Sequence, residues 1–121
     1  MLVLRPADVE ETTQAWKLAM ENTATPTALI FSRQNIANLP AGTDYTQTAK
    51  GAYIVAGADE NPDVILVASG SEVSTLVAGA ELLRKDGVKL RIVSVPSEGL
   101  FRSQSKEYQE VLSQQVQRYS D

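Results

Sequence analysis

The chain has 121 residues, 43% of them apolar and 21% charged, with a formal net charge of −4 at pH 7. That length and apolar share suit a folded domain with a real core and exclude an intrinsically disordered chain. Histidine and cysteine are both absent, which removes disulfides, thiol nucleophiles, thiolate metal sites and the side chain most used for proton transfer near neutral pH. Carboxylates, Lys and Tyr are left for such work, and only in a tuned environment. The mild acidity offers no basic stripe to a phosphate backbone, so nucleic-acid binding is not expected. Apolar runs such as Val64 to Ala68 are too short for a membrane span. The opening Met-Leu-Val-Leu-Arg-Pro lacks the basic start and apolar stretch of a signal peptide. The expectation is a soluble, intracellular α/β chain.

Leu2-Val3-Leu4 reads as a short buried strand. Asp8 is a good N-cap, and Glu11 three places on gives a capping-box-like helix start. The spacing of Val9, Ala15, Trp16, Ala19 and Met20 predicts a helix over 9–21, ended near Asn22 and shut off by Pro26. Thr27 to Ser32 is apolar nearly throughout, as suits a strand inside a parallel sheet covered by helices. These pieces make one βαβ unit. Residues 33–50 show no period and are rich in Asn, Pro, Gly and Asp, which predicts a linker or functional loop between two modules.

A second α/β pattern opens with a strand at 52–56, followed by a polar turn and the strongest strand, 64–68. Ser71 is the expected N-cap of a helix whose stripe is Val73, Leu76, Val77, Ala80 and Leu83, and Gly87 ends it. A strand over 90–95 and a helix from Lys106 to Arg118 complete the pattern. The predicted fold class is α/β with a mainly parallel sheet.

Three turns follow strands and so hold candidate site residues. Ser69-Gly70-Ser71 matches neither a dinucleotide fingerprint nor a Walker loop, and reads as a structural turn. In Arg5-Pro6-Ala7-Asp8, Pro6 fixes the entry, Asp8 caps the helix and Arg5 is placed to pair with a carboxylate. Ser32-Arg33-Gln34-Asn35 is more suggestive. A guanidinium at the carboxyl end of a strand suits a phosphate held by two parallel charge-assisted bonds, with Ser32, Gln34 or Asn35 as neutral donors. An interface arginine paired with a carboxylate stands beside that reading, and these residues do not separate the two. Trp16, Leu76 and Val77 are expected in the core, and Glu10, Glu11 and Glu21 on a solvated helix face.

Several segments then fall into one order. Arg5-Pro6-Ala7-Asp8, Glu11-Thr12, Ala15-Trp16, Pro26-Thr27-Ala28 and Phe31-Ser32-Arg33-Gln34 resemble the end of the pyrimidine-binding domain of the transketolase family. Lys50-Gly51-Ala52-Tyr53, the run from Asn61 to Val73, Arg91 to Pro96, and Phe101 to Tyr108 resemble the opening of that family's C-terminal domain. The resemblance implies residues 1–40 as the end of the first domain, 41–49 as a linker and 50–121 as part of the second, with a Rossmann-like module. It implies a transferase that moves a two-carbon ketol unit between phosphorylated sugars in the pentose phosphate pathway. Thiamine diphosphate and a divalent cation (Mg or Ca) would serve the intact cytoplasmic homodimer, and the C–C chemistry would belong to the cofactor. Arg33 would contact the substrate phosphate. No catalytic, cofactor-binding or metal-binding residue is expected in this segment, and the isolated chain is expected to be inactive. Its partners would be the sugar phosphates, the remainder of the enzyme chain and the second subunit, with neither nucleic acid nor membrane. Dihydroxyacetone synthase and a non-catalytic interaction or regulatory module derived from the C-terminal domain are the alternatives. With its sheet neighbours missing, the first βαβ unit is expected to leave apolar strands exposed, so the chain alone should be poorly soluble, self-associated, or stable only through its second module.

Overall fold

Strand β1 (Leu2–Leu4) feeds helix α1 (Val9–Glu21), which returns to strand β2 (Thr27–Leu29). The computed structural model describes residues 1–33, 36, 38–40, 42–57 and 62–112. The helix bounds match those predicted because both ends are capped. Asp8 Oδ1 accepts the Glu11 N–H at 2.8 Å, and the Asn22 N–H donates to the Leu18 carbonyl at 3.0 Å. β1 and β2 pair in parallel, with Leu2, Val3 and Leu4 opposite Thr27, Ala28 and Leu29.

The second unit contains β3 (Tyr53–Ala56), β4 (Val64–Ala68), α2 (Glu72–Lys85), β5 (Leu90–Ser94) and the short α3 (Glu98–Arg102). Residues 106–112 begin a further helix, α4. The rest of the helix predicted there, including Val116, lies outside the described residues. The sheet order is β3-β5-β4, with β4 parallel and β3 antiparallel to β5. The α/β arrangement with mainly parallel pairing is therefore present, β3 being the exception.

Central strand β5 is buried along its whole length. Leu90 and Ile92 join Tyr53, Val55, Val73 and Ala80 in the main core cluster, with Leu76 and Val77 packed against it as expected. Val93 points the other way, into a second cluster with Ala52 and Leu112, edged by Phe101 and Tyr108. This alternation is the period of two that a strand covered on both faces requires. Gly51 makes the close approach of α3 possible. Its φ is +85°, and a Cβ there would stand 2.2 Å from the Phe101 nitrogen and 2.4 Å from the Ser97 oxygen.

Three expectations are corrected. The predicted strand over 27–32 stops at Leu29, and Ile30 and Phe31 are about half exposed, because β2 pairs only with β1 among the described residues. The stretch 33–50 is not all loop, since Tyr45–Lys50 form a 3₁₀ helix capped by Asp44. Trp16 is 52% exposed and meets the Phe31 ring at 6.3 Å instead of filling the core. Val9 and Met20 are also exposed, so of the predicted apolar stripe of α1 only Ala15 is buried.

The face of α1 that turns inward carries Glu11 and Ala15. Glu11, expected on a solvated face, has no exposed surface, while Glu10 and Glu21 are exposed as expected. Its Oε1 accepts the Ala7 N–H at 3.0 Å, a variant of the capping box one residue upstream of the cap. Its Oε2 accepts the Tyr53 hydroxyl at 2.7 Å and the Ser94 hydroxyl at 2.9 Å. One carboxylate thus ties α1 to β3 and β5. Burial lifts its pKa above 4.5, an effect that the Tyr53, Ser94 and Ala7 donors oppose. The Arg5 N–H adds a second tie, to the Pro96 carbonyl at 2.7 Å.

Glu11→Ala strands two buried hydroxyls and is expected to cost about 2–4 kcal/mol in urea unfolding followed by Trp16 fluorescence, at one fixed protein concentration. With a folded-state pKa raised above 4.5, Glu11 contributes stability that is fully present at acid pH. That contribution fades as pH climbs through the folded value. Glu11→Gln should remove that part of the pH dependence, and an unchanged slope would contradict the burial. Gly51→Ala is expected to cost at least about 1–3 kcal/mol from backbone strain, read in the same unfolding experiment. Sedimentation of the chain alone should show self-association through its exposed apolar residues, and a clean monomer would count against it.

Candidate functional site

Parallel pairing of β1 and β2 sends both chains out of the same sheet edge. Asp8 and Pro6 follow β1, and Phe31 and Ser32 follow β2. Between them lies a cleft of about 640 Å³ whose walls include Pro6, Asp8, Thr12, Trp16, Phe31 and Ser32. The carboxyl edge of parallel strands is where α/β sheets place ligands. A second cavity, about 480 Å³, lies at the opposite end beside Met1, Leu2 and Thr25. It is walled largely by apolar side chains and lacks a convergent set of polar groups.

Arg33 comes directly after Ser32 and is exposed. Gln34 and Asn35, the other members of the predicted cluster, lie outside the described residues. The Ile30 N–H bonds the Leu4 carbonyl at 2.9 Å, which carries the β1–β2 register past Leu29 toward the cleft. The structure thus brings Ser32, the residue before Arg33, into the same cleft as the Arg5–Asp8 turn.

Asp8 is buried and fully engaged. Besides capping α1, it accepts the Leu39 N–H at 2.9 Å and the Tyr45 hydroxyl at 2.5 Å, both on Oδ2. Burial and the Asp8 charge push the Tyr45 phenol well above its usual pKa, so it stays a donor. Tyr53 is shifted upward for the same two reasons, with Glu11 as the neighbouring charge. Pro6 and Asp8 act as the sequence predicts, whereas Arg5 forms no ion pair among the described residues and rests beside Gly70.

Ser69-Gly70-Ser71 serves structure. The Ser69 hydroxyl donates to the Val95 carbonyl at 2.7 Å, and Ser71 precedes α2 without a side-chain cap bond. Tyr45, Tyr53 and Ser94 were not singled out from the sequence. A serine in an otherwise apolar buried strand is a usable signal, because a buried hydroxyl requires a partner.

Among the described residues no group of three or more Asp, Glu, His or Cys is placed to hold a metal ion. Asp8, which lines the cleft, and Glu11, one turn further along α1, already accept hydrogen bonds on both oxygens. The described residues therefore do not fit a diphosphate–cation centre. Within the described residues no helix is long and apolar enough to cross a membrane.

Comparison with known proteins agrees with this architecture. A family model described as the transketolase-like C-terminal domain matches residues 51–120. A transketolase from Halalkalibacterium halodurans is 48% identical over 110 residues, covering 89% of this chain and 16% of that protein. A crystal structure of Pichia stipitis transketolase in complex with sedoheptulose 7-phosphate superposes with a TM-score of 0.84 at 40% identity, over 92% of this chain and 16% of that one. Leishmania mexicana transketolase superposes with a TM-score of 0.85 at 37% identity, again over 92% and 16%. The chain spans about a sixth of the length of these relatives. With the family model covering more than half of its residues, the chain belongs to the transketolase family.

Proposed function

We propose that this segment works inside a longer transketolase that transfers a two-carbon ketol unit between phosphorylated sugars, and that Arg33 grips the sugar phosphate. Residues 1–40 then end the pyrimidine-binding domain, 41–49 link, and 50–121 form part of the C-terminal domain. The observation that carries the reading is the position of Arg33. It is an exposed residue directly after Ser32, which lines a cleft of about 640 Å³ beyond the carboxyl ends of two parallel strands. A planar guanidinium suits a phosphate, which accepts two parallel N–H bonds and balances its charge. The relatives support the substrate class, since Pichia stipitis transketolase has been crystallised with fructose 6-phosphate, xylulose 5-phosphate and sedoheptulose 7-phosphate.

Arg33 binds and orients. It holds the charged end of the sugar while the carbonyl end reaches whatever machinery breaks the bond, and fixing one end of a flexible substrate restricts the poses of the other. Thiamine diphosphate and its divalent cation, which the family membership supports for the intact cytoplasmic dimer, would be held by residues outside this segment. The isolated chain would then be inactive.

The test is Arg33→Ala in the longer enzyme. Losing a charge-assisted bidentate contact should cost about 2–3 kcal/mol, lowering kcat/KM for phosphorylated substrates roughly 30- to 150-fold, and leave unphosphorylated analogues nearly unchanged. Equal losses for both would refute the role. Ketol transfer to ribose 5-phosphate rather than to formaldehyde would separate transketolase from dihydroxyacetone synthase.

A further inference from the structure

Two hydrogen bonds hold the chain at Ile30, before Arg33, and at Leu39, after it, and they end on the last residue of β1 and on the cap of α1. Ahead of it, the Ile30 N–H donates to the Leu4 carbonyl at 2.9 Å. Beyond it, the Leu39 N–H donates to Oδ2 of Asp8 at 2.9 Å, and the Leu39 side chain is buried in the main core. The same Oδ2 accepts the Tyr45 hydroxyl at 2.5 Å, while Oδ1 is occupied by the Glu11 N–H. Tyr45 begins the 3₁₀ helix and packs its ring against the core, outside the walls of the cleft. Its hydroxyl therefore has a path to the Arg33 segment through one carboxylate, without reaching the ligand itself.

We propose that Tyr45 is a positioning residue for Arg33, acting through Asp8 and Leu39 to set where the guanidinium meets the sugar phosphate. The inference rests on the assignment of Arg33 made above. Removing the phenol oxygen leaves Asp8 Oδ2 with the Leu39 N–H as its single donor and takes away one of the three bonds that fix the carboxylate. The Leu39 anchor then loosens, and Arg33 must be ordered when the phosphate binds instead of beforehand. The core ring contact of Tyr45 survives in phenylalanine, so the change isolates the hydroxyl.

The experiment is a double-mutant cycle in the holoenzyme that carries this segment, with Tyr45→Phe, Arg33→Ala and the pair. Binding of ribose 5-phosphate and of free ribose is measured by calorimetry, alongside kcat at saturation. Tyr45→Phe should weaken ribose 5-phosphate about three- to tenfold, leave free ribose and kcat nearly unchanged, and add nothing once Arg33 is gone. Suppose Arg33→Ala is phosphate-selective while Tyr45→Phe has no effect, weakens both sugars equally, or adds fully to Arg33→Ala. The positioning role is then overturned and the Arg33 assignment stands. If Arg33→Ala itself weakens both sugars alike, the assignment falls and the positioning role falls with it.

Discussion

A carboxylate with no exposed surface joins two sheets that share no strand pairing. Glu11 reaches from the first turn of α1 to the hydroxyls of Tyr53 on β3 and Ser94 on β5, while its other oxygen takes the Ala7 N–H. Such a group is tolerated only because each oxygen has a donor, and it is costly to disturb for the same reason. Its position fixes the inward face of α1. The rest of the first unit follows from that choice, including the outward stripe of Val9, Trp16 and Met20.

Asp8 completes the arrangement one turn earlier. Oδ1 caps the helix and Oδ2 takes Leu39 and Tyr45, so one short side chain sets both the start of α1 and the return of the chain after the cleft. Asp8 and Glu11 are neighbours of like charge, and their proximity adds to the burial that raises the Glu11 pKa. Every carboxylate oxygen of this pair has a donor. That leaves the proposed role of this edge as one of binding and orientation, with the Arg33 guanidinium as its charged group.

Much of the fold was legible in the sequence where local rules act alone. Asp8 as cap, the bounds of α1, the strand at Val64–Ala68 and the strand before Pro96 follow from capping, apolar run length and proline punctuation. Trp16 and Glu11 were misread for a single reason. Periodicity identifies an apolar face but not which neighbour covers it, and here the covered face is the one centred on Glu11 and Ala15. A buried carboxylate leaves no local signature, since its partners lie 42 and 83 residues away in the chain. The 3₁₀ helix at Tyr45–Lys50 was hidden by its length and by the loop-forming residues before it. Of the proposed site, Arg33 was visible because a charged residue closes the apolar run Thr27–Phe31 and its following serine. Tyr45 was not, because its hydrogen bond to Asp8 depends on folding back from 37 residues away.

The claim on which the account rests is that the carboxyl edge of β1 and β2 presents Arg33 to an esterified sugar. The most direct measurement is a crystal structure of the longer enzyme with ribose 5-phosphate bound. The account predicts guanidinium nitrogens of Arg33 about 2.7–2.9 Å from two phosphate oxygens, with Ser32 lining the same end of the ligand. A phosphate held by other side chains, with Arg33 turned toward a carboxylate of a neighbouring domain, would contradict it.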